Sequence, residues 1–109
     1  MKWSGKNYSG ENVAIRSELT PYHLVYQRNA LKVLRSMTIE NAERILLDLQ
    51  TLAETADGDI KYLGLGYIGA YRLRVGTFRV YLDVESSPPT LFVEGIEKRG
   101  EAYRKKSRR

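Results

Sequence analysis

The stretch that decides the fold is Ala70-Tyr71-Arg72-Leu73-Arg74-Val75-Gly76-Thr77-Phe78-Arg79-Val80-Tyr81-Leu82. Its residues alternate strictly, which reads as strand, turn, strand, and Gly76-Thr77 is the Gly-X pair of a two-residue type II′ hairpin. With those two residues as the loop, Val75 faces Phe78, Arg74 faces Arg79, and Arg72 faces Tyr81. Like charges directly opposite each other across a ladder are destabilising. A sheet face carrying three arginines and a tyrosine is therefore poorly explained by folding and well explained by a negatively charged partner.

Outward from the hairpin, the rest of the chain supplies a core. Pro21 is followed by Tyr22-His23-Leu24-Val25-Tyr26-Gln27, a short strand with Tyr22, Leu24 and Tyr26 on one face and His23 and Val25 on the other. Arg28 to Met37 reads as a helix with Ala30, Leu31, Leu34 and Met37 inward. Thr38 caps a second helix to about Glu54, with Ile39, Ala42, Ile45, Leu46, Leu49, Leu52 and Ala53 inward. Almost nothing separates the two helices, so they form an antiparallel hairpin. Ser86-Ser87-Pro88-Pro89 is a turn. Thr90 to Ile96 is a further strand, with Leu91 and Val93 on one face, Phe92, Glu94 and Ile96 on the other, and Gly95 as a bend. The expected architecture is α+β: an antiparallel sheet, a meander plus the N-terminal strand, with the helical hairpin on one face and an open basic face opposite. Tyr71, Leu73, Val75, Phe78, Val80, Leu82 and Val84 would lie under the helices.

The chain has 109 residues, enough for one domain with one modest core. Residues 1–20 are rich in Gly, Ser and Asn and read as an extension, poorly ordered or loosely docked; residues 21–104 form the domain; residues 105–109 are a basic tail. The net charge of +5 is concentrated at the C-terminus, since Lys98 to Arg109 holds seven bases and one acid. Such an arm suits nucleic acid, an acidic partner or an anionic surface. No cysteine and a single histidine exclude Cys-based and His-cluster metal sites. Absence of a signal-peptide pattern, of a membrane-length apolar run and of cysteine fits a cytoplasmic location with no membrane partner. Gly64-Leu65-Gly66-Tyr67-Ile68-Gly69 matches G-x-G-x-x-G but precedes a strand instead of opening a helix, so it is not a dinucleotide site. What remains is a basic face with aromatics: Lys61, Arg72, Arg74, Arg79, Tyr81, Lys98, Arg99 and Tyr103. Arginines clamp phosphates, tyrosines stack on bases, and clustered cations stabilise a phosphoryl transition state. The pattern favours nucleic-acid binding over catalysis, with an acidic protein partner as the third reading.

Three blocks resemble the RelE/ParE superfamily of bacterial type II toxins. Gly58-Asp59-Ile60-Lys61-Tyr62-Leu63-Gly64 is similar to G-D-[VI]-K-x-L-x-G. Tyr71 to Val80 is similar to Y-R-[LI]-R-V-G-D-[YF]-R-V. Lys98-Arg99-Gly100-Glu101-Ala102-Tyr103-Arg104 is similar to H-R-[RK]-[DE]-V-Y-R. The resemblance implies a cytoplasmic toxin held inactive by a cognate acidic antitoxin. In the RelE-like branch it implies ribosome-dependent cleavage of messenger RNA (a 2′-hydroxyl attacks the adjacent phosphate, with no metal or cofactor). In the ParE-like branch the implied target is DNA gyrase, and a non-catalytic RNA- or antitoxin-binding relative is a further alternative. Carried over, Arg79 contacts the scissile phosphate, Arg74 and Arg72 bind backbone and stabilise charge, and Arg99 and Tyr103 complete the catalytic set. Lys61, Tyr81, Lys98 and Arg104 are the further RNA-binding candidates. Lys98 stands where many relatives carry histidine, which leaves Lys98 as the candidate proton donor.

Overall fold

The computed structural model describes residues 15–64 and 68–98. Its elements run in order: a 3-10 turn Ser17–Leu19, β1 His23–Tyr26, α1 Arg28–Ser36, α2 Ile39–Thr55, β2 Ile60–Tyr62, β3 Tyr71–Val75, β4 Phe78–Ser86 and β5 Pro89–Lys98. The five strands form one sheet in the order β1-β5-β4-β3-β2.

The hairpin of β3 and β4 has the expected register, with Val75 opposite Phe78, Arg74 opposite Arg79 and Arg72 opposite Tyr81. Gly76 has φ +61°, the left-handed value that the first position of this turn demands. A side chain there would also press on the Arg44 guanidinium of α2, 3.2 Å away.

The meander β2-β3-β4-β5 is antiparallel, but β1 lies parallel to β5, so the sheet is mixed. Parallel neighbours need a long connection, and everything from α1 to β4 lies between these two strands. Ile60–Tyr62 adds a short edge strand where only a Gly-rich connection was expected.

Thr38 caps α2 as its position predicts, accepting from the Asn41 backbone N–H at 3.2 Å. Ala56 closes the helix in the left-handed conformation and donates to the Leu52 carbonyl. Met37 and Thr38 alone separate the two helices, with α1 packed chiefly on β5 and α2 on β1 and β3. The core joins Ala30, Leu34, Ile45, Leu49, Leu52 and Ala53 of the helices to Leu73, Val75, Val80, Leu82, Leu91, Val93 and Ile96 of the sheet. Tyr71, Phe78 and Val84 border it. Three residues of the expected helical stripes lie largely outside: Leu31 and Leu46 at its margin and Ile39 at 72% exposure on the first turn of α2. A helical repeat gives the direction of the apolar face, while the width of the neighbouring layer sets how much of it is covered.

Ile96 is the instructive exception on the sheet. Plain alternation from Leu91 and Val93 sends it outward, yet it is buried in the core. The register shows why: Leu82 pairs with Val93 but Tyr81 pairs with Gly95, so Glu94 is an extra, unpaired residue in a β-bulge. Beyond the bulge the faces are exchanged, and Glu97 and Lys98 swap sides relative to an unbroken strand. Deleting Glu94 should therefore regularise β5 and keep Ile96 inward. We expect the deletion variant to fold cooperatively with Tyr81 still opposite Gly95, checked by thermal unfolding and cross-strand NOEs.

Ile15 and Leu19 pack against the core, and the Tyr22 hydroxyl accepts the Arg16 backbone N–H at 3.0 Å. No helix among the described residues is long and apolar enough to cross a membrane.

Candidate nucleic-acid interface

Directly paired residues of neighbouring strands present their side chains on one face. On the face away from the helices this gives two rows. One runs Lys61, Arg72, Tyr81, Gly95; the next runs Arg74, Arg79, Glu97. The arginine cluster expected from alternation is thus assembled, with Lys61 beside it at the β2 edge.

The cluster is electrostatically crowded. Asp59, just before β2, is shared between Arg72 at 3.7 Å and Arg74 at 3.9 Å. These contacts are long, and Asp59 is mostly exposed, so they neutralise little. Burial first, then the neighbouring Arg74, pushes the Arg72 guanidinium below its ordinary pKa, partly opposed by Asp59. Arg72 Nε is buried without a hydrogen-bond partner among the described residues. Arg74 and Arg79 flank a cleft of about 110 Å³ at the hairpin tip, lined also by Gly76, Thr77 and Phe78. Arg44 approaches the same turn from the helix side, a basic residue that strand alternation gives no reason to look for.

Two expected members sit differently. Tyr81 is only 4% exposed, so its ring has no free face on which a base could stack. Its hydroxyl is hydrogen-bonded to Glu97, and its pKa is raised by burial first and by the Glu97 charge second. The face is covered at this point: Ala70 donates its N–H to Asp83 Oδ1 at 2.9 Å, and Ile68 lies over Gly95 where a Cβ would meet it at 3.1 Å. Among the described residues the arginine face is therefore covered at Tyr81 and Gly95, whereas Lys61 and Arg74 are exposed and Arg79 is partly so. Lys98 pairs with Phe78, a residue of the helix side, so the bulge takes Lys98 off the arginine face and puts Glu97 there opposite Arg79. Arg99, Tyr103 and Arg104 lie outside the described residues.

Further along the same face Asp83 meets Glu94. Burial first, then the Asp83 charge and hydrogen bond, raises the Glu94 pKa, with a Gln27 hydrogen bond acting the other way. The folded state thus holds a proton on Glu94 that the unfolded chain releases earlier. Its stabilising contribution is complete below the ordinary carboxylate range and is lost as pH rises through the raised value. Glu94→Gln, which donates to Asp83 at every pH, should remove that decline; urea unfolding from pH 4 to pH 8 (about one unit per step) measures it.

Comparison with protein-family models and with curated proteins gives no match. Solved structures do match. A chain of the RelE–RelB complex from Pyrococcus horikoshii OT3 is 19% identical, with 74% of this chain and 98% of that chain covered at TM-score 0.57. A chain of the toxin–antitoxin complex RelBE2 from Mycobacterium tuberculosis is 16% identical, covering 77% and 98% at TM-score 0.65. One from the RelB–RelE complex of Methanococcus jannaschii is 19% identical, covering 74% and 96% at TM-score 0.56. The fold is that of the RelE toxins.

Proposed function

We propose that the chain is the toxin of a type II toxin–antitoxin pair and cleaves messenger RNA on the ribosome. The observation that carries this reading is the packing of Arg72, Arg74 and Arg79 onto one face of a RelE-like sheet, with Arg74 and Arg79 directly opposed. Folding gains nothing from that opposition, and a phosphate between the two side chains relieves it. The reaction needs only the substrate's own 2′-hydroxyl as nucleophile, so cations that neutralise the crowded phosphate are the main requirement. Arg79 takes the scissile phosphate, Arg74 and Arg72 the charge beside it, and Lys61 the backbone on the β2 side. Arg99 and Tyr103 complete the site in this reading, and Arg104 extends its basic rim. At rest, carboxylates of a cognate acidic antitoxin occupy the same cations. The protein acts in the cytoplasm, where both partners are.

Induced expression with mapping of messenger 5′ ends tests the reading. We expect new ends in phase with codons that vanish when translation is blocked. Intact messengers together with DNA-damage signalling would instead assign the chain to gyrase, and no effect on growth would make it a binding relative without catalysis.

A further inference from the structure

The nuclease reading leaves one chemical role open. Attack by a 2′-hydroxyl needs a group to take its proton, and arginines at neutral pH cannot. Lys98, the sequence candidate for the proton donor, is on the other side of the sheet, and as an ammonium it accepts no proton. The residue that the bulge brings to the arginine face in its place is a carboxylate. Glu97 stands directly opposite Arg79 on β5 and is partly accessible to solvent. It is hydrogen-bonded to the buried Tyr81 hydroxyl, which lies diagonally across the ladder beside Gly95. A glycine at 95 leaves room for Ile68, which a Cβ there would meet at 3.1 Å.

Resting on the nuclease reading, we propose that Glu97 is the general base of the cleavage and that Tyr81 is the positioning residue that aims its carboxylate. The Glu97 carboxylate takes the proton of the 2′-hydroxyl as the 2′-oxygen forms a bond to phosphorus. The bond from phosphorus to the 5′-oxygen breaks, its electron pair stays on that oxygen, and a solvent water supplies the proton. The products are a 2′,3′-cyclic phosphate and a 5′-hydroxyl. Arg79, across the ladder, meets the phosphate while Glu97 meets the nucleophile, so one cross-strand pair addresses both reacting atoms. A glutamate present only to balance Arg79 would have none of the kinetic properties that follow.

The experiment is single-turnover cleavage of a short messenger on programmed ribosomes by the full-length chain. Glu97→Gln keeps the shape and the Tyr81 contact but cannot accept the proton. Its rate should fall about 10²-fold or more, with the acid limb of the pH–rate profile lost. Binding of the same messenger carrying a 2′-deoxynucleotide at the scissile position should not weaken, and thermal unfolding should stay cooperative, with only the small loss of one cross-strand charge pair. Tyr81→Phe removes the hydroxyl that orients the carboxylate and should lower the single-turnover rate while leaving binding of the 2′-deoxy messenger unchanged. A messenger with sulfur in place of the 5′-bridging oxygen needs no proton on its leaving group, so Glu97→Gln should stay slow on it. Wild-type cleavage and an unaltered pH profile in Glu97→Gln would overturn the assignment, as would rescue by the sulfur substrate, which marks an acid. Failure of the wild-type chain itself to cleave would overturn the nuclease reading and the base with it.

Discussion

Arg79→Ala should lower single-turnover messenger cleavage by about 10²–10³-fold, the usual cost of losing one preorganised donor to transition-state charge. The same substitution should leave the protein folded and no less stable. Arg79 pairs across the ladder with Arg74 on one side and Glu97 on the other. Removing it ends a like-charge opposition on the first side and a favourable one on the second, and the two changes offset each other. Growth arrest after induction and thermal unfolding, measured on the same variant, separate the two effects. A variant that stays fully toxic would remove Arg79 from the site; one that no longer melts cooperatively would show that the arginine serves the fold. Arg74→Ala should behave alike but more mildly, because the Arg74 side chain is about half exposed and already shares Asp59 with Arg72.

The largest expected loss of stability comes from the opposite face of the same strand. Leu82→Ala should destabilise the domain by about 2–5 kcal/mol. Leu82 is fully buried, in the core cluster that joins the sheet to α1 and α2. Its backbone is also in close contact with Gly69, where a Cβ would come within 2.8 Å of the Leu82 N and O atoms. The neighbourhood is held on both sides of the sheet and has little freedom to collapse into the vacated space. A typical domain of this size has about 5–15 kcal/mol to lose, so this single change should shift the urea midpoint far more than any substitution on the arginine face.

The contrast between the two faces of β4 shows what local sequence encodes. Val80 and Leu82 inward, Arg79 and Tyr81 outward, and a turn at Gly76-Thr77 all follow from side chains alternating every two residues and from one glycine taking a positive φ. Both helices, the Thr38 cap and the apolar residues Ala30, Leu34, Ile45, Leu49 and Leu52 were legible for the same reason: each depends on neighbours three or four positions away. The arginine cluster was legible because a hairpin brings near residues together.

The site's acidic members were not. Asp59 precedes β2 and reaches Arg72 and Arg74 only because β2 docks at the sheet edge. Glu97 depends on one extra residue at position 94; without the bulge, alternation assigns Lys98 to that face and Ile96 with it. The spacing of Val93 and Ile96, two apolar residues three apart on either side of Glu94-Gly95, was the one signal that could have revealed it. Tyr81 read as a stacking surface because nothing local shows that it is buried or that Ile68 packs on Gly95, the residue opposite it. The parallel partnership of β1 with β5 was hidden for the same reason as Asp59, since the pairing joins opposite ends of the chain.

The sequence by itself determined the elements, the inward and outward sets of the hairpin, and a positive face with no folding rationale, because each is a matter of short-range periodicity and turn chemistry. Tertiary structure alone decided which strand meets which, which carboxylates join the arginines, and which aromatic is covered. Those outcomes rest on long-range pairing and on a single bulge, and one added residue in a strand of period two is enough to put Glu97 instead of Ile96 opposite Arg79.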